Sequence, residues 1–160
     1  MTNERAYKVF KIENGTVIDH IKSPLALKII EILKLQQNDG ILSIGMNFDS
    51  KRIGKKDIIK VENISLSKKE TDLIALLSPT ATINIIKEGN VIEKRLLEMP
   101  KEVSDILKCP NPTCITNKYS DCQSKFFIKK IDDKSAIGRC YYCERETEIT
   151  IDLMKLLFIL

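Results

Sequence analysis

The sequence predicts an α+β protein, with an antiparallel sheet and two helices in its first part and a small all-β domain in its second. Two observations indicate this class. Before residue 100, segments of alternating apolar residues are interrupted twice by helix-like segments, and after it four cysteines occur in two pairs. Pro100, in LLEMPKEVSD, ends a hydrophobic run, so we place the domain boundary between residues 1–99 and 100–160.

Two helices are expected in the first domain. The first, SPLALKIIEILKLQ, has Ser23 as its predicted N-cap and Pro24 at its first position. The second begins at Ser67, which has the capping-box spacing to Glu70, and ends before Pro79. The order strand, helix, strand, strand, helix, strand is that of a ferredoxin-like sheet with one free face, here with an extra strand at each end. The predicted strands are AYKVFKI, TVIDHI, ILSIGMNF, DIIKVEN, ATINIIK and VIEKRLL.

Composition narrows the class of protein. The 160 residues include 26 Lys and Arg against 22 Asp and Glu, a net charge of +4 with no basic block, so no nucleic-acid partner is expected. MTNERAYK lacks the apolar centre of an export signal, and no apolar run is long enough to span a membrane. We therefore expect a cytoplasmic protein that does not bind membranes, and we expect the apolar end LMKLLFIL to pack against protein.

The five cysteines indicate a metal site more than disulfides, because thiols stay reduced in the cytoplasm. Cys109 and Cys114 lie in CPNPTC, and Cys140 and Cys143 lie in CYYC. Two such turns supply the four thiolates of a tetrahedral structural Zn²⁺ site, with one ion per chain and no open position for catalysis. The alternatives are small buried side chains or a redox pair. Cys122 has no partner at ligand spacing and is interpreted as a surplus loop thiol.

Strand alternation groups several side chains of the first domain on one sheet face. Lys56, Ile58 and Lys60 share one side of their strand, and Asn84 shares a side with Ile86. Lysines beside apolar residues can bind a ligand that carries phosphates and a flat base. The alternative interpretation, favoured by spacing alone, is an ordinary solvated strand face.

Asp19 and the only histidine, His20, raise the question of a catalytic pair. Consecutive strand residues point to opposite faces, so Asp19 is poorly placed to orient His20, and no nucleophile motif accompanies them. At the end of the strand, both side chains can reach one ligand. We therefore expect binding there and no catalytic residue.

Five segments in this order resemble the regulatory chain family of aspartate carbamoyltransferase: GTVIDHI, SIGMNFDSKRIGKKDIIKVEN, LSPTATINII, CPNPTC and CYYCE. The resemblance covers almost the whole chain. It implies a non-catalytic subunit of pyrimidine biosynthesis, with an allosteric domain that binds nucleoside triphosphates such as CTP, UTP and ATP. It also implies a zinc domain that docks on the catalytic chain, and a regulatory-chain homodimer that bridges two catalytic trimers.

The resemblance also implies the residues of the nucleotide site. Lys60 and Lys94 are implied as ribose and phosphate contacts, Asp19 as a ribose or metal-side acceptor, and His20 as a phosphate donor. Phe10 and Gly89 depart from the family pattern, which has an acidic and an aromatic residue there. The full implied set is Val9, Ile12, Asp19, His20, Lys56, Lys60, Asn84, Ile86, Val91 and Lys94.

One alternative from another class is a zinc-ribbon protein that binds nucleic acid. Its cysteine turns would be the same, and its phosphate contacts would be basic residues of the second domain. The mixed charge of the chain opposes this interpretation. The basic residues in question are Lys125, Lys129, Lys130 and Arg139.

Overall fold

A computed structural model describes residues 10–132 and 135–150 of the chain. Within these residues, no helix is long and apolar enough to cross a membrane. Up to residue 96 the elements are, in chain order, β1 (Gly15–Lys22), α1 (Ala26–Leu33), a 3₁₀ turn (Leu35–Gln37), β2 (Leu42–Ser50), β3 (Gly54–Glu62), α2 (Lys68–Leu77), β4 (Thr82–Lys87) and β5 (Asn90–Leu96). They are followed by β6 (Glu102–Ser104), α3 (Ile115–Lys118), β7 (Lys125–Lys130), β8 (Ala136–Cys140) and β9 (Glu146–Glu148).

The first sheet has the strand order β2-β3-β1-β4-β5, and every neighbouring pair is antiparallel. The four strands β2-β3-β1-β4 have the ferredoxin-like arrangement, and β5 is the predicted extra strand at one end. The predicted extra strand AYKVFKI falls mostly outside the described residues, and residues 10–12 are not in a strand. The α+β class with a small all-β second part is confirmed.

One face of this sheet forms the apolar core. Ile18, Ile59 and Ile83 lie side by side on β1, β3 and β4, and all three are buried. At the start of β1, Gly15 has φ +146, and a Cβ there would lie 2.1 Å from the Val61 carbonyl oxygen, so only glycine fits. Because side chains alternate along a strand, the neighbours of these buried residues point to the opposite face of the sheet.

The start of α1 differs from the prediction. The helix begins at Ala26, and the Ser23 hydroxyl donates to the Asn47 side chain, 2.6 Å away, instead of capping the helix. The buried carboxylate of Asp57 accepts from the Ala26 amide at 3.1 Å and from the Asn47 amide at 3.0 Å. Because this acceptor comes from β3, no local pattern could have identified it.

The described residues divide into two compact units, residues 10–66 with 80–96 and residues 67–79 with 97–150. The second unit therefore includes α2, which lies upstream of the boundary predicted near Pro100, and the predicted limits stay a prediction. The capping box of α2 is confirmed, since Ser67 accepts from the Glu70 amide and Glu70 accepts from the Ser67 amide. Lys69 of α2 forms an ion pair of 3.1 Å with Asp105 in the same unit.

The second unit contains an antiparallel sheet in the order β6-β7-β8-β9. Phe126 is fully buried at its centre, and Val103, Ile106 and Leu107 are buried with it. Cys109, Cys114 and Cys140 are the other large group of buried side chains in the sheet region. Three thiols are thus buried next to this small apolar group, which indicates a metal-supported fold.

Candidate functional site: a basic sheet face and a four-cysteine cluster

The sheet face opposite to the apolar core carries a row of residues in register. Val17 of β1 pairs with Lys60 of β3 on one side and with Asn84 of β4 on the other. Asn84 in turn pairs with Lys94 of β5. Directly paired residues have their Cβ atoms about 5 Å apart on the same face. Lys60, Val17, Asn84 and Lys94, which we call the central row, therefore form one continuous strip across four strands.

A β-bulge distorts the end of β1 next to this row. The pairing between β1 and β3 shifts between Ile18 and Ile21, and His20 has φ +54. The prediction that Asp19 and His20 point to opposite faces is wrong, because the bulge breaks the alternation. His20 Nδ1 lies 3.5 Å from Asp19 Oδ2 and 3.5 Å from the hydroxyl oxygen of Thr82. Both side chains thus lie beside the strip, toward the end of β1, where a ligand can contact them together.

Asp19 organises the charges at this end. Its Oδ1 accepts from the Lys56 ammonium at 2.8 Å and from the backbone amide of His20 at 2.6 Å. Lys56 and Asp19 are both mostly shielded from solvent, with 21% and 19% of their side chains exposed. At this partial burial, solvent screens the ion pair less than it screens a surface pair, and the 2.8 Å contact holds Lys56 against the sheet.

Two basic groups of the site have lowered pKa values. Burial is the main reason why the pKa of His20 is lowered, and Asp19 opposes this by raising it. The positive charges of Lys56, Arg52 and Lys94 lower it further. Burial also lowers the pKa of Lys60, and Asp19 again raises it. Several cations lie near the single carboxylate of Asp19, so the site has more positive charge than Asp19 neutralises, and an anionic ligand would relieve that excess.

An apolar floor lies on the other side of the central row, toward the start of β1. Ile12, Val17 and Ile86 form a buried cluster, and Ile58 packs against it. The segment leading into β1 is held there by the hairpin between β4 and β5, since the Gly89 amide donates to the Glu13 carbonyl at 2.8 Å. The floor and the basic end thus lie along one face, as a ligand with a flat base and phosphates requires.

The remaining predicted residues lie around this floor. Val91 is 59% exposed on β5, and Val9 lies outside the described residues. Gly89 has no side chain, and a Cβ atom added there would lie 3.5 Å from the Lys11 ammonium. Val17, Thr82 and Arg52 were not predicted by the sequence analysis. Val17 lies two residues before Asp19 on the same strand, so strand alternation could have placed it on the same face. The positions of Thr82 and Arg52 near the site depend on how the strands pair, which the sequence does not give.

The second site is the cluster of four cysteines. The Sγ atoms of Cys109, Cys114, Cys140 and Cys143 all lie within 4.8 Å of one another. The distance is 3.6 Å between Cys109 and Cys143 and 3.8 Å between Cys114 and Cys140. A disulfide requires about 2.05 Å, whereas four sulfurs around one Zn²⁺ at about 2.3 Å are about 3.8 Å apart. The sulfur positions fit one tetrahedral metal ion.

Local hydrogen bonds shape both cysteine turns. Asn117 of α3 donates to the carbonyl oxygens of Cys109 and Asn111, at 2.8 and 2.7 Å, and so closes the CPNPTC turn. The Cys140 amide donates to the Arg145 carbonyl at 3.0 Å, which closes the CYYC turn. Among the described residues, Cys122 is not part of the cluster, as predicted.

Ionisation of these thiols also fits a metal. Burial raises the pKa of Cys109 and of Cys140, and nearby backbone N–H groups lower it in part. Burial raises the pKa of Cys143 as well, but the Arg145 amide and neighbouring groups bring it down to about 7. Buried thiolates need a compensating cation, which a bound Zn²⁺ supplies. Because four sulfurs fill the coordination sphere, the metal is structural.

Comparison with known proteins places both sites in one family. The description "Aspartate carbamoyltransferase regulatory chain, allosteric domain" matches residues 7–98, and "Aspartate carbamoyltransferase regulatory chain, metal binding domain" matches residues 101–152. The chain is 47% identical to the aspartate carbamoyltransferase regulatory chain of Thermococcus sibiricus, over 94% of this chain and 97% of the relative. It is 48% identical to that of Pyrococcus horikoshii, over 88% and 92%, and 43% identical to that of Methanothermobacter thermautotrophicus, over 88% and 89%. The chain belongs to the family of aspartate carbamoyltransferase regulatory chains, the non-catalytic subunits of that enzyme complex.

Proposed function

We propose that the chain binds a nucleoside triphosphate of the CTP, UTP and ATP class on its basic sheet face and passes allosteric control of pyrimidine biosynthesis to the catalytic chain. The observation that carries this proposal is the central row, in which Lys60 and Lys94 lie on either side of Val17 and Asn84. Two cations on one sheet face, between an apolar floor and a histidine, match the parts of a nucleotide.

The orientation of the ligand follows from the order of these groups along β1. The base lies on Ile12 and Ile86, beside Val91, because this end is apolar. The ribose lies over the central row, within reach of Lys60 and Asn84, with Asp19 as an acceptor beyond it. The phosphates extend toward His20, Lys56 and Lys94, where the positive charges lie.

We propose that the second unit attaches the chain to the catalytic chain of aspartate carbamoyltransferase. Its metal site leaves no position for substrate, so its role is to hold a surface in shape. Tyr141 and Tyr142, between the two cysteines of the CYYC turn, are 53% and 43% exposed. Exposed tyrosines on a rigid turn are typical of protein interfaces. This surface is the proposed contact with the catalytic chain.

We also propose that two copies of the chain form a homodimer in the cytoplasm. The first sheet ends in the edge strands β2 and β5, which carry the exposed apolar residues Ile44, Ile92 and Leu96. An edge strand of this kind is stabilised when another strand covers it. The free cysteines fit a reducing compartment.

Titration calorimetry and gel filtration test the two halves of the proposal separately. Purified chain should bind CTP, UTP or ATP and should co-elute with the catalytic chain. The activity of the reconstituted complex should then respond to nucleotides. Absence of heat with all three nucleotides contradicts nucleotide binding, and separate elution of metal-loaded chain contradicts attachment.

The zinc-ribbon alternative is supported by one observation. Lys125 lies over the rings of Phe127 and Tyr141, and Arg139 lies over the ring of Phe127, at 5.4 to 5.8 Å from the ring centres. However, Lys125 is 3.6 Å from Glu102, and Arg139 is 3.7 Å from Glu144, so carboxylates already face both cations. A filter-binding assay that finds steeply salt-dependent RNA or DNA affinity would favour this alternative.

A further inference from the structure

Arg52 lies at the tip of the hairpin that joins β2 to β3, beyond the basic end of the sheet face. One of its terminal nitrogens donates to the Thr80 carbonyl at 2.9 Å. Because β1 lies between β3 and β4 in the sheet, this bond reaches across the end of β1 to the loop that leads into β4. The hairpin tip is thus held next to the bulge that contains His20.

A second hydrogen bond connects this loop to the bulge. The Thr80 hydroxyl donates to the His20 carbonyl at 2.9 Å, so Thr80 contacts both Arg52 and His20. The electrostatic effect agrees with this geometry, because the positive charge of Arg52 is one of those that lower the pKa of His20. Arg52 is therefore close enough to His20 for one polyanion to contact both side chains.

Arg52 is the outermost of the groups that follow one another along the sheet face. The apolar floor at Ile12 comes first, then the central row with Lys60, then Asp19 with His20, and Arg52 lies furthest out. A chain of phosphates that starts over the central row reaches Arg52 last. A guanidinium has five N–H donors, and the bond to Thr80 uses one of them. The others match the paired oxygens of a phosphate.

We propose that Arg52 is a specificity-determining residue that binds the outermost phosphate of the nucleotide and favours triphosphates over monophosphates. This inference rests on the proposed nucleotide site, which Arg52 extends beyond the residues implied by the family resemblance. The hydrogen bond to Thr80 positions the guanidinium before the ligand arrives, so that little ordering of the side chain is needed on binding.

The test compares CTP, CDP and CMP binding to wild type, Arg52→Gln and Lys51→Gln by titration calorimetry. Lys51 is the neighbouring exposed cation of the same turn, so its variant removes an equal charge. We expect Arg52→Gln to weaken CTP binding by about tenfold or more, as for loss of a charged hydrogen bond, and to change CMP binding less than twofold. Lys51→Gln should change both affinities less than twofold.

A second readout comes from the single histidine of the chain, whose ring protons give one set of NMR signals. Without nucleotide, the pKa of His20 should rise in Arg52→Gln and stay unchanged in Lys51→Gln, and an unchanged pKa in both variants contradicts the placement of Arg52. Equal losses for CTP and CMP would mean that Arg52 only holds the hairpin, and unaltered CTP affinity would overturn the inference while leaving the nucleotide site intact. If wild type binds none of the three, the proposed function fails as well.

Discussion

The two candidate sites of this chain are built in opposite ways. The cysteine cluster comes from two local turns, each with two ligands close together in sequence and its own closing hydrogen bonds. The basic face comes from four strands, and Lys60, Asn84 and Lys94 meet only because β1, β3, β4 and β5 pair in one register. In the first case the metal organises the fold, and in the second the fold organises the site.

This difference determines what each unit needs for stability. The first unit has a core of large aliphatic residues, with Ile18, Ile59 and Ile83 fully shielded, so it does not depend on its ligand. The second unit also has buried apolar residues such as Phe126 and Leu107, but three of its buried side chains are the clustered thiols, whose burial as thiolates requires a cation, so we expect it to depend on its metal. Perturbations of the metal and of the proposed nucleotide site should therefore have separate effects.

The largest effect is expected from loss of the metal. Replacing Cys140 by Ser removes one of four ligands. The binding free energy of a structural Zn²⁺ ion is on the order of 10 kcal/mol, and it is coupled to folding. We expect the variant to lose zinc and hydrogen-exchange protection in the second unit, while the first unit keeps both its protection and its nucleotide affinity. Metal analysis and exchange mass spectrometry measure these effects.

Cys122 provides the matched control for this experiment. It is a partly exposed thiol in the same unit but outside the cluster, so Cys122→Ser should retain one zinc per chain. A Cys140→Ser chain that still holds a full equivalent of zinc contradicts the four-cysteine site. Loss of protection in the first unit would contradict the independence of the two units.

The next largest effect is expected at the central row. Lys60→Ala and Lys94→Ala should each weaken nucleoside triphosphate binding by about 1.5 to 3 kcal/mol, the range for a hydrogen bond to a charged group. The free energy of unfolding should change little. Lys87→Ala is the control, since Lys87 is exposed at the end of β4 that lies away from His20. Calorimetry that finds all three affinities equal would mean that this is an ordinary solvated strand face.

The sequence predicted these two sites to different extents, for a physical reason. Cysteine spacing is a local property, so the metal ligands were identified directly from CPNPTC and CYYC. The face of Lys56, Lys60 and Asn84 followed from alternation, but alternation failed at His20, because a bulge depends on how β1 pairs with β3. The predicted start of α1 was wrong for a similar reason, since the acceptor for the amide of its first residue is Asp57, which lies on a strand distant in sequence.

A smaller effect is expected from the cap of α2, and it tests where the second unit begins. Ser67→Ala removes the side chain that accepts from the Glu70 amide, which typically costs about 1 kcal/mol. If α2 unfolds with the second unit, only the transition of that unit should shift to lower denaturant. Ser65→Ala removes an exposed hydroxyl two residues earlier and should shift neither transition. A shift of the first unit alone would place α2 with the first sheet.

The smallest effect is a pH dependence of nucleotide binding that comes from His20. In the free chain, burial and the nearby cations hold the pKa of His20 below its ordinary value, so the ring is neutral at pH 7 to 8. A bound phosphate favours the charged ring and raises this pKa, so binding takes up a proton when the pH lies between the free and bound pKa values. Affinity should therefore rise by a few-fold as the pH falls from 8 toward 6.

Phosphate ionisation must be separated from this effect, because the terminal phosphate itself titrates near pH 6. His20→Gln has no titrating ring, so the difference in pH dependence between wild type and His20→Gln isolates the histidine. Once the effect of phosphate ionisation is subtracted, we expect His20→Gln to bind nucleotide equally well at pH 8 and pH 6.5. Wild type should bind more tightly at pH 6.5 than at pH 8. If the two pH profiles are parallel from 8 to 6, then His20 does not face the phosphates. If binding weakens at low pH in wild type only, then the neutral His20 ring accepts a hydrogen bond from the ligand.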